Sequence, residues 1–398
     1  MRRLSALVLL SSVSATIMLV GPVPAISSGP IFPVSAAFGQ GSSGRDRTTP
    51  ASFPWVVSDV SADSATNAWA VGYEEGTTGT RANRILHWNG IEWSRIDSPN
   101  PSSTWSPLYG VDARSPTDVW AVGEYQDDET GAFKTLILRW DGAVWSQVNS
   151  PNPSLKSNGL QDVDASSASN AWAVGYYKDD ETRHQYPTLI VHWNGTRWTK
   201  VHSPNPDPDD EQLLEVATRS GHDAWAVGHY NQQPLIMHWD GTSWSKIKSP
   251  NPGAPNTGIL EGVDAESATD AWAVGYYYNE MVDALDTLIV RWNGRTWSQV
   301  KTPLTGRALL GVSGTRPRNV WAVGSRGVNY PKPLIFHWDG QRWSKVDSPN
   351  PSSIYGELLT VSASSGNVAW AMGGYVDDAT EVETALILYW NGSHWAQA

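Results

Sequence analysis

The sequence predicts an all-β chain, a seven-bladed β-propeller with four antiparallel strands per blade, on three observations: a tryptophan-centred unit that recurs seven times, strand-period alternation inside each unit, and no helical period anywhere. Aligned on Ala-Trp-Ala-Val-Gly, the first tryptophans of the units are Trp69, Trp120, Trp172, Trp225, Trp272, Trp321 and Trp370. A second follows at Trp88, Trp140, Trp193, Trp239, Trp292, Trp338 and Trp390, and a third stands five residues after each second one. Of 23 tryptophans only Trp55 and Trp105 fall outside this pattern. A repeat of roughly fifty residues is the length at which chains build propellers or solenoids.

The third unit shows the strands most clearly. Leu160 to Ala165 is a short apolar run (strand A), and Ala171 to Tyr176 alternates small and large residues (strand B). Thr188 to Trp193 is strand C, Asn194-Gly195 is a hairpin turn, and Trp198 to Val201 is strand D. The Ser203-Pro204-Asn205-Pro206 segment then ends the sheet, because proline cannot donate to a ladder. On strand B, Trp172, Val174 and Tyr176 project to one face while Ala171, Ala173 and Gly175 project to the other. A bulky face and a small face on one sheet invite the next sheet to nest, and nesting around an axis buries both faces and protects the strand edges. Blades of about 53–101, 102–153, 154–206, 207–252, 253–303, 304–351 and 352–398 follow, each from contiguous sequence. The ring is then shut by side-chain packing between first and last blades, with Trp55 a candidate plug.

Ahead of the repeats, Arg2 and Arg3 precede an uncharged, mostly apolar run from Leu4 to Val20 and then small residues and prolines. Residues 1–37 therefore read as a secretory signal peptide and 38–52 as a disordered linker, so the expected location is secreted, with no membrane span after cleavage. The alternative is an uncleaved anchor helix. The sequence has no cysteine, which excludes disulfides, thiolate nucleophiles and thiolate metal sites. With 28 Lys and Arg against 40 Asp and Glu, a net charge of −12 argues against a nucleic-acid partner.

The phrase from Leu160 through "DVDASSASNAWAVGYY" to "TLIVHWNGTRWTKVHSPNP" resembles the repeat of a widespread group of bacterial secreted propellers, sometimes labelled kelch-like or galactose-oxidase-like. The hairpins at Trp140 to Trp145, Trp239 to Trp244 and Trp338 to Trp343 are also similar to those of bacterial propeller lectins, a resemblance that implies sugar binding at blade junctions. The Asp-box of sialidases does not fit, because Arg139, His238 and His337 stand where it needs Ser or Thr.

Candidate chemistry is sparse. His87, His192, His238 and His337 precede the second tryptophan of their units, where Arg139, Arg291 and Tyr389 stand in the others; a position accepting all three reads as a polar contact between blades. No paired metal spacing, phosphate loop or nucleophile elbow occurs, and departures from the repeat fall in loops, not in strands. The acidic pairs Asp127-Asp128, Asp179-Asp180 and Asp377-Asp378 lie in the B–C loops; they are an exposed acidic rim or a loose Ca²⁺ site, and no other cofactor is expected.

In a four-stranded meander the B–C and D–A connections share one rim, and length varies mostly there. Two residues beyond the strand-B glycine, at the mouth of that rim, stand Glu74, Tyr125, Tyr177, Tyr230, Tyr277, Arg326 and Tyr375. The tyrosines and Arg326 are candidate ligand contacts, suited to stacking on sugars; the alternative is that each tyrosine caps a blade junction. The expected function is a non-catalytic binding module for carbohydrate or a surface polymer at inter-blade or rim sites. Two alternatives stay open: an extracellular hydrolase or lyase with its site on the same rim, and a protein-interaction scaffold.

Overall fold

A computed structural model describes residues 55–398 except 77, 179–185, 206–210, 254–256, 282, 303–307 and 328–329. The signal-peptide and linker assignments lie outside the described residues, as do Asp179 and Asp180. Twenty-eight strands form seven separate four-stranded antiparallel sheets, each in simple meander order, and no helix occurs among the described residues. The A strands are Trp55–Ser64, Leu108–Ser115, Asn158–Ser167, Glu211–Ser220, Gly258–Ser267, Ala308–Arg316 and Gly356–Ser365. The B strands are Asn67–Glu75, Asp118–Gln126, Asn170–Tyr177, Asp223–Tyr230, Asp270–Asn279, Asn319–Arg326 and Val368–Val376. Each C strand ends on the second tryptophan of its unit and each D strand starts on the third. The C–D turns have one design: in blade 2, Asp141 Oδ1 accepts from the N–H groups of Ala143 and Val144, and Gly142 takes a φ of 98° that a side chain would oppose.

Successive sheets interlock through one motif. Each strand-B tryptophan is almost wholly buried and inserts between the second and third tryptophans of the next blade. Trp172 lies 4.9 Å from Trp239 and 5.2 Å from Trp244 between ring centroids, the latter pair edge to face. Trp69, Trp120, Trp225, Trp272 and Trp321 repeat the arrangement. Trp370 of the last blade makes it with Trp88 at 5.1 Å and Trp93 at 5.0 Å of the first, which closes the ring. Beside each indole the expected nesting is present: Trp120 and Val122 of blade 2 share a buried cluster with Ala171 and Ala173 of blade 3. At the closing junction Trp55 is buried with Trp370, Met372 and Ala70.

A second, polar link runs along the inner wall. The A strands of consecutive blades lie side by side all the way round, and the acidic or hydroxyl residue of each accepts a backbone N–H from the next. Ser61 Oγ accepts from Ala113 at 2.9 Å, Asp112 from Ala165 at 3.0 Å, Asp164 from Thr218, Asp264 from Gly314 and Ser313 from Ala363 at 3.1 Å. Blade 4 carries Ala217 at this position; two residues earlier a parallel row of bonds is made by Asp59 from Val111 at 2.9 Å, Asp162 from Val216 at 2.9 Å and Glu215 from Val263 at 3.1 Å. Ser362 accepts from Ala62 at 3.0 Å, so this chain of bonds also crosses the closing junction.

Replacing a junction indole with alanine empties a core aromatic site, so Trp172→Ala is expected to lower unfolding free energy by about 3–5 kcal/mol. Because the closing junction is built like the others, Trp370→Ala should cost the same within error. Denaturant titration of both variants measures this, and a Trp370→Ala loss far below that of Trp172→Ala would show the seam to be open.

Candidate functional site

The residues that read as candidate chemistry are largely consumed by packing. His87, His192, His238 and His337 stack on the strand-B tryptophan of their own blade at centroid distances of 4.1–4.3 Å. Their Nε2 atoms meet Asn67, Asn170, Asp223 and Asn319 at 2.7–2.8 Å. Where the position is arginine its partner is aspartate: Arg139 bonds Asp118, and Arg291 bonds Asp270. These arginines also span the junction, lying over Trp193 and Trp338 of the following blades at 5.6 and 5.4 Å. The position is therefore an intra-blade stack in all seven units and, at Arg139 and Arg291, also the polar contact between blades that the repeat pattern predicted. Burial lowers the His87, His192 and His337 imidazoles below their ordinary range, which keeps them neutral.

The acidic B–C loops use their carboxylates internally. Asp127 accepts from the Thr130 N–H and hydroxyl and from Lys134 Nζ, and Asp128 holds Ser102 and Ser103 of the neighbouring D–A connection. Asp377 and Asp378 repeat this with Thr380 and with Ser352 and Ser353. Among the described residues no group of three or more His, Asp or Glu side chains is arranged to hold a metal ion.

The rim tyrosines each sit as a half-buried lid on a junction core: Tyr125, Tyr177, Tyr230, Tyr277 and Tyr375 all pack against buried clusters. Lys200 Nζ lies 4.2 Å from the Tyr177 ring and Lys246 Nζ 3.4 Å from that of Tyr230. Tyr277 donates its hydroxyl to Asp286. Arg326 is exposed. Blade 1 has Glu74 at the tyrosine position and, on strand C, Arg84 where every other unit has a leucine, as at Leu136; the two side chains pair with each other.

Glu124 is a second substitution inside a strand, and with Arg84 it corrects the expectation that departures fall only in loops. It stands where other units carry Tyr73, Tyr176, His229, Tyr276, Ser325 and Gly374. The buried carboxylate accepts from Trp105 Nε1 at 3.1 Å, Tyr109 at 3.2 Å and, from the next blade, Tyr176 at 3.1 Å. Gly159 makes room for this meeting: a Cβ there would stand 2.7 Å from Glu124 Oε2 and 3.1 Å from the Tyr176 ring. Burial pushes the Glu124 carboxyl above its ordinary range, against the three donors and the nearby Arg81. The sequence signal for this site was a lone glutamate at a position otherwise mostly aromatic. Its partners come from three different segments, so no spacing rule marked it.

The inner wall carries a further concentration of acid: Asp59, Asp112, Asp162, Asp164, Glu215 and Asp264. Burial raises all six, Asp59, Asp164 and Asp264 to about 6 and the others well above the ordinary value. Like charge adds to it across the axis, since Asp59 of blade 1 raises Asp162 of blade 3 and Glu215 of blade 4. Burial likewise raises Glu261 to about 7 and Glu266 to about 8.

These carboxyls hold protons more tightly folded than unfolded, so the stability they contribute is complete only below their ordinary range near 4 and is lost as pH rises from there through 6 to 8. The three half-buried histidines, His87, His192 and His337, act in the opposite sense, losing stability as pH falls below about 6.5, but they are fewer. The melting temperature is expected to be higher at pH 5 than at pH 8, with Asp162→Asn and Glu215→Gln flattening the slope. A melting temperature that rises from pH 5 to pH 8 would contradict this.

No protein-family model matches the chain, and no curated protein does. Among solved structures it is similar to YCF48 bound to D1 peptide, at 13% identity over 84% of this chain and 93% of that one, with a TM-score of 0.53. It is also similar to a polysaccharide lyase of family PL25, an ulvan lyase bound to -[GlcA(1-4)Rha3S]-, at 10% identity over 84% and 91% with a TM-score of 0.52. The RRP9 WD40 repeats match at 8% identity over 84% and 94%, with a TM-score of 0.54. At these identities the likenesses establish the fold, a seven-bladed β-propeller, and the fold hosts both binding proteins and enzymes.

Proposed function

We propose that this chain is an exported, non-catalytic binding module that takes carbohydrate or a surface polymer on the rim formed by the B–C and D–A connections. The observation that carries this reading is the contrast between the two rims. Every A–B turn has two residues and every C–D turn four, whereas B–C connections range from the two-residue turn Asn231-Gln232 to the stretch between Tyr177 and Thr188. A rigid ring with variation confined to one rim is the arrangement in which recognition sits on loops.

A hydrolase or lyase needs a proton-transfer group within reach of a substrate. Glu124 has a raised carboxyl, but it is buried and its oxygens are committed to Trp105, Tyr109 and Tyr176, which favours a positioning role over catalysis. Binding by a non-catalytic ring gains from several weak sites acting together.

The test is retention of the purified protein on insoluble polysaccharides and bacterial cell-wall material. Retention on at least one polymer is expected, weakened by Tyr125→Ala, Tyr177→Ala and Tyr277→Ala in combination. Cleavage of a polysaccharide by the wild-type protein, or no retention on any polymer, would overturn the reading.

A further inference from the structure

Two of the D–A connections share one sequence pattern that ends on an aromatic residue, and they are built alike. Ser98-Pro99-Asn100-Pro101-Ser102-Ser103-Thr104-Trp105 leads into blade 2, and Ser348-Pro349-Asn350-Pro351-Ser352-Ser353-Ile354-Tyr355 leads into blade 7. In both, the first serine of the Ser-Ser pair accepts the N–H of the aromatic residue at 3.1 Å, and an aspartate of the adjoining B–C loop, Asp128 or Asp378, clamps the pair. In both, strand B is extended by an N–H bond to the aromatic residue's carbonyl, from Gln126 at 2.9 Å and Val376 at 3.1 Å. The product is an aromatic side chain held at a fixed place on the variable rim, twice.

Trp105 is held most firmly. Its indole N–H is anchored on the buried Glu124, the Arg81 guanidinium lies 4.3 Å from its ring centroid and is itself backed by Tyr73 at 4.5 Å, and Phe133 meets it edge to face. The Arg81 backbone bonds on both sides of the indole, donating to Thr104 O at 2.8 Å and accepting from Ser106 N–H at 2.7 Å. Yet Trp105 is only half-buried, unlike the strand-B tryptophans, and it contributes nothing to any junction triad. An aromatic side chain outside the triads that its neighbours immobilise and that still keeps part of its surface open is organised for contact, because the ordering cost of binding has been met in the free protein.

We propose that Trp105 and Tyr355 are two aromatic platforms on which pyranose rings of a polysaccharide stack, with Arg81 beside Trp105 as a polar partner for ring hydroxyls. This rests on the carbohydrate-binding reading above and names where on the rim it happens. An amphipathic aromatic side chain bordered by a planar guanidinium suits a sugar, which presents apolar C–H faces and a girdle of hydroxyls. Two platforms on one rigid ring would bind a polymer by avidity.

The probes are soluble xylan, laminarin and polygalacturonate in native affinity electrophoresis, with melting temperature as the folding control. On any polysaccharide that retards the wild-type protein, Trp105→Ala is expected to weaken binding by about tenfold or more, the effect of losing a central aromatic contact. Tyr355→Ala should weaken it less, the double variant should lose it, and Trp105→Phe should keep most of it. Should Trp105→Ala also lower the melting temperature, Trp105→Leu fills the space without an aromatic face and must lose binding too. Full binding by Trp105→Leu and by the double variant would overturn the platforms while leaving the binding reading intact. If the wild-type protein is retarded by none of the three probes, the platform assignment fails for these sugar classes, and retention on cell-wall material decides the broader reading separately.

Discussion

The structure depends on the insertion of one indole between two others. Each sheet offers a strand-B tryptophan to the next sheet, and the receiving sheet frames it with the two tryptophans that bound its outer hairpin. Because donor and acceptor faces differ, the contact has a direction, and copies of it placed head to tail turn about an axis until they close. Trp370 against Trp88 and Trp93 is the seventh repetition, so no strand needs to be borrowed from the other end of the chain. Buried aromatic area at every junction replaces the covalent staples that a chain without cysteine lacks.

The polar contacts follow from that packing. Once A strands are brought together around the axis, their outermost backbone N–H groups on the wall face a neighbouring strand edge too far for a ladder bond, and short acceptor side chains span the gap. Carboxylates two residues earlier in blades 1, 3 and 4 add a parallel row of such bonds, so acceptors stand on the wall in two tiers. The consequence is a crowd of acidic groups in a confined place, and their mutual repulsion is relieved by protonation.

The periodic part of this architecture was legible in the sequence. Tryptophan spacing, the alternation of Trp172 and Val174 with Ala171 and Ala173, and Asn-Gly or Asp-Gly turns are local patterns, and strands C and D of the third unit have the bounds the pattern implied. What could not be read was whatever joins distant segments. Asp112 belonged to a recurring Val-Asp-Ala phrase, but its donor, Ala165, lies in the next unit. Glu124 looked like one variant among seven, because Trp105, Tyr109 and Tyr176 converge on it only in the folded ring. For the rim tyrosines the sequence allowed both a sugar contact and a cap; the folded chain shows the cap's packing, with a partly open ring above it.

Amide hydrogen exchange tests the central claim most directly, because it reports the opening of individual junctions. The Ala62 N–H bonds to Ser362 across the seam, as the Ala113 and Ala363 N–H groups bond across internal junctions. If seven equivalent indole insertions hold the ring, these three amides exchange with similar protection, through global unfolding. Exchange at Ala62 orders of magnitude faster than at Ala113 and Ala363 would show that the ring breathes at its seam and that the seventh insertion is not equivalent to the other six.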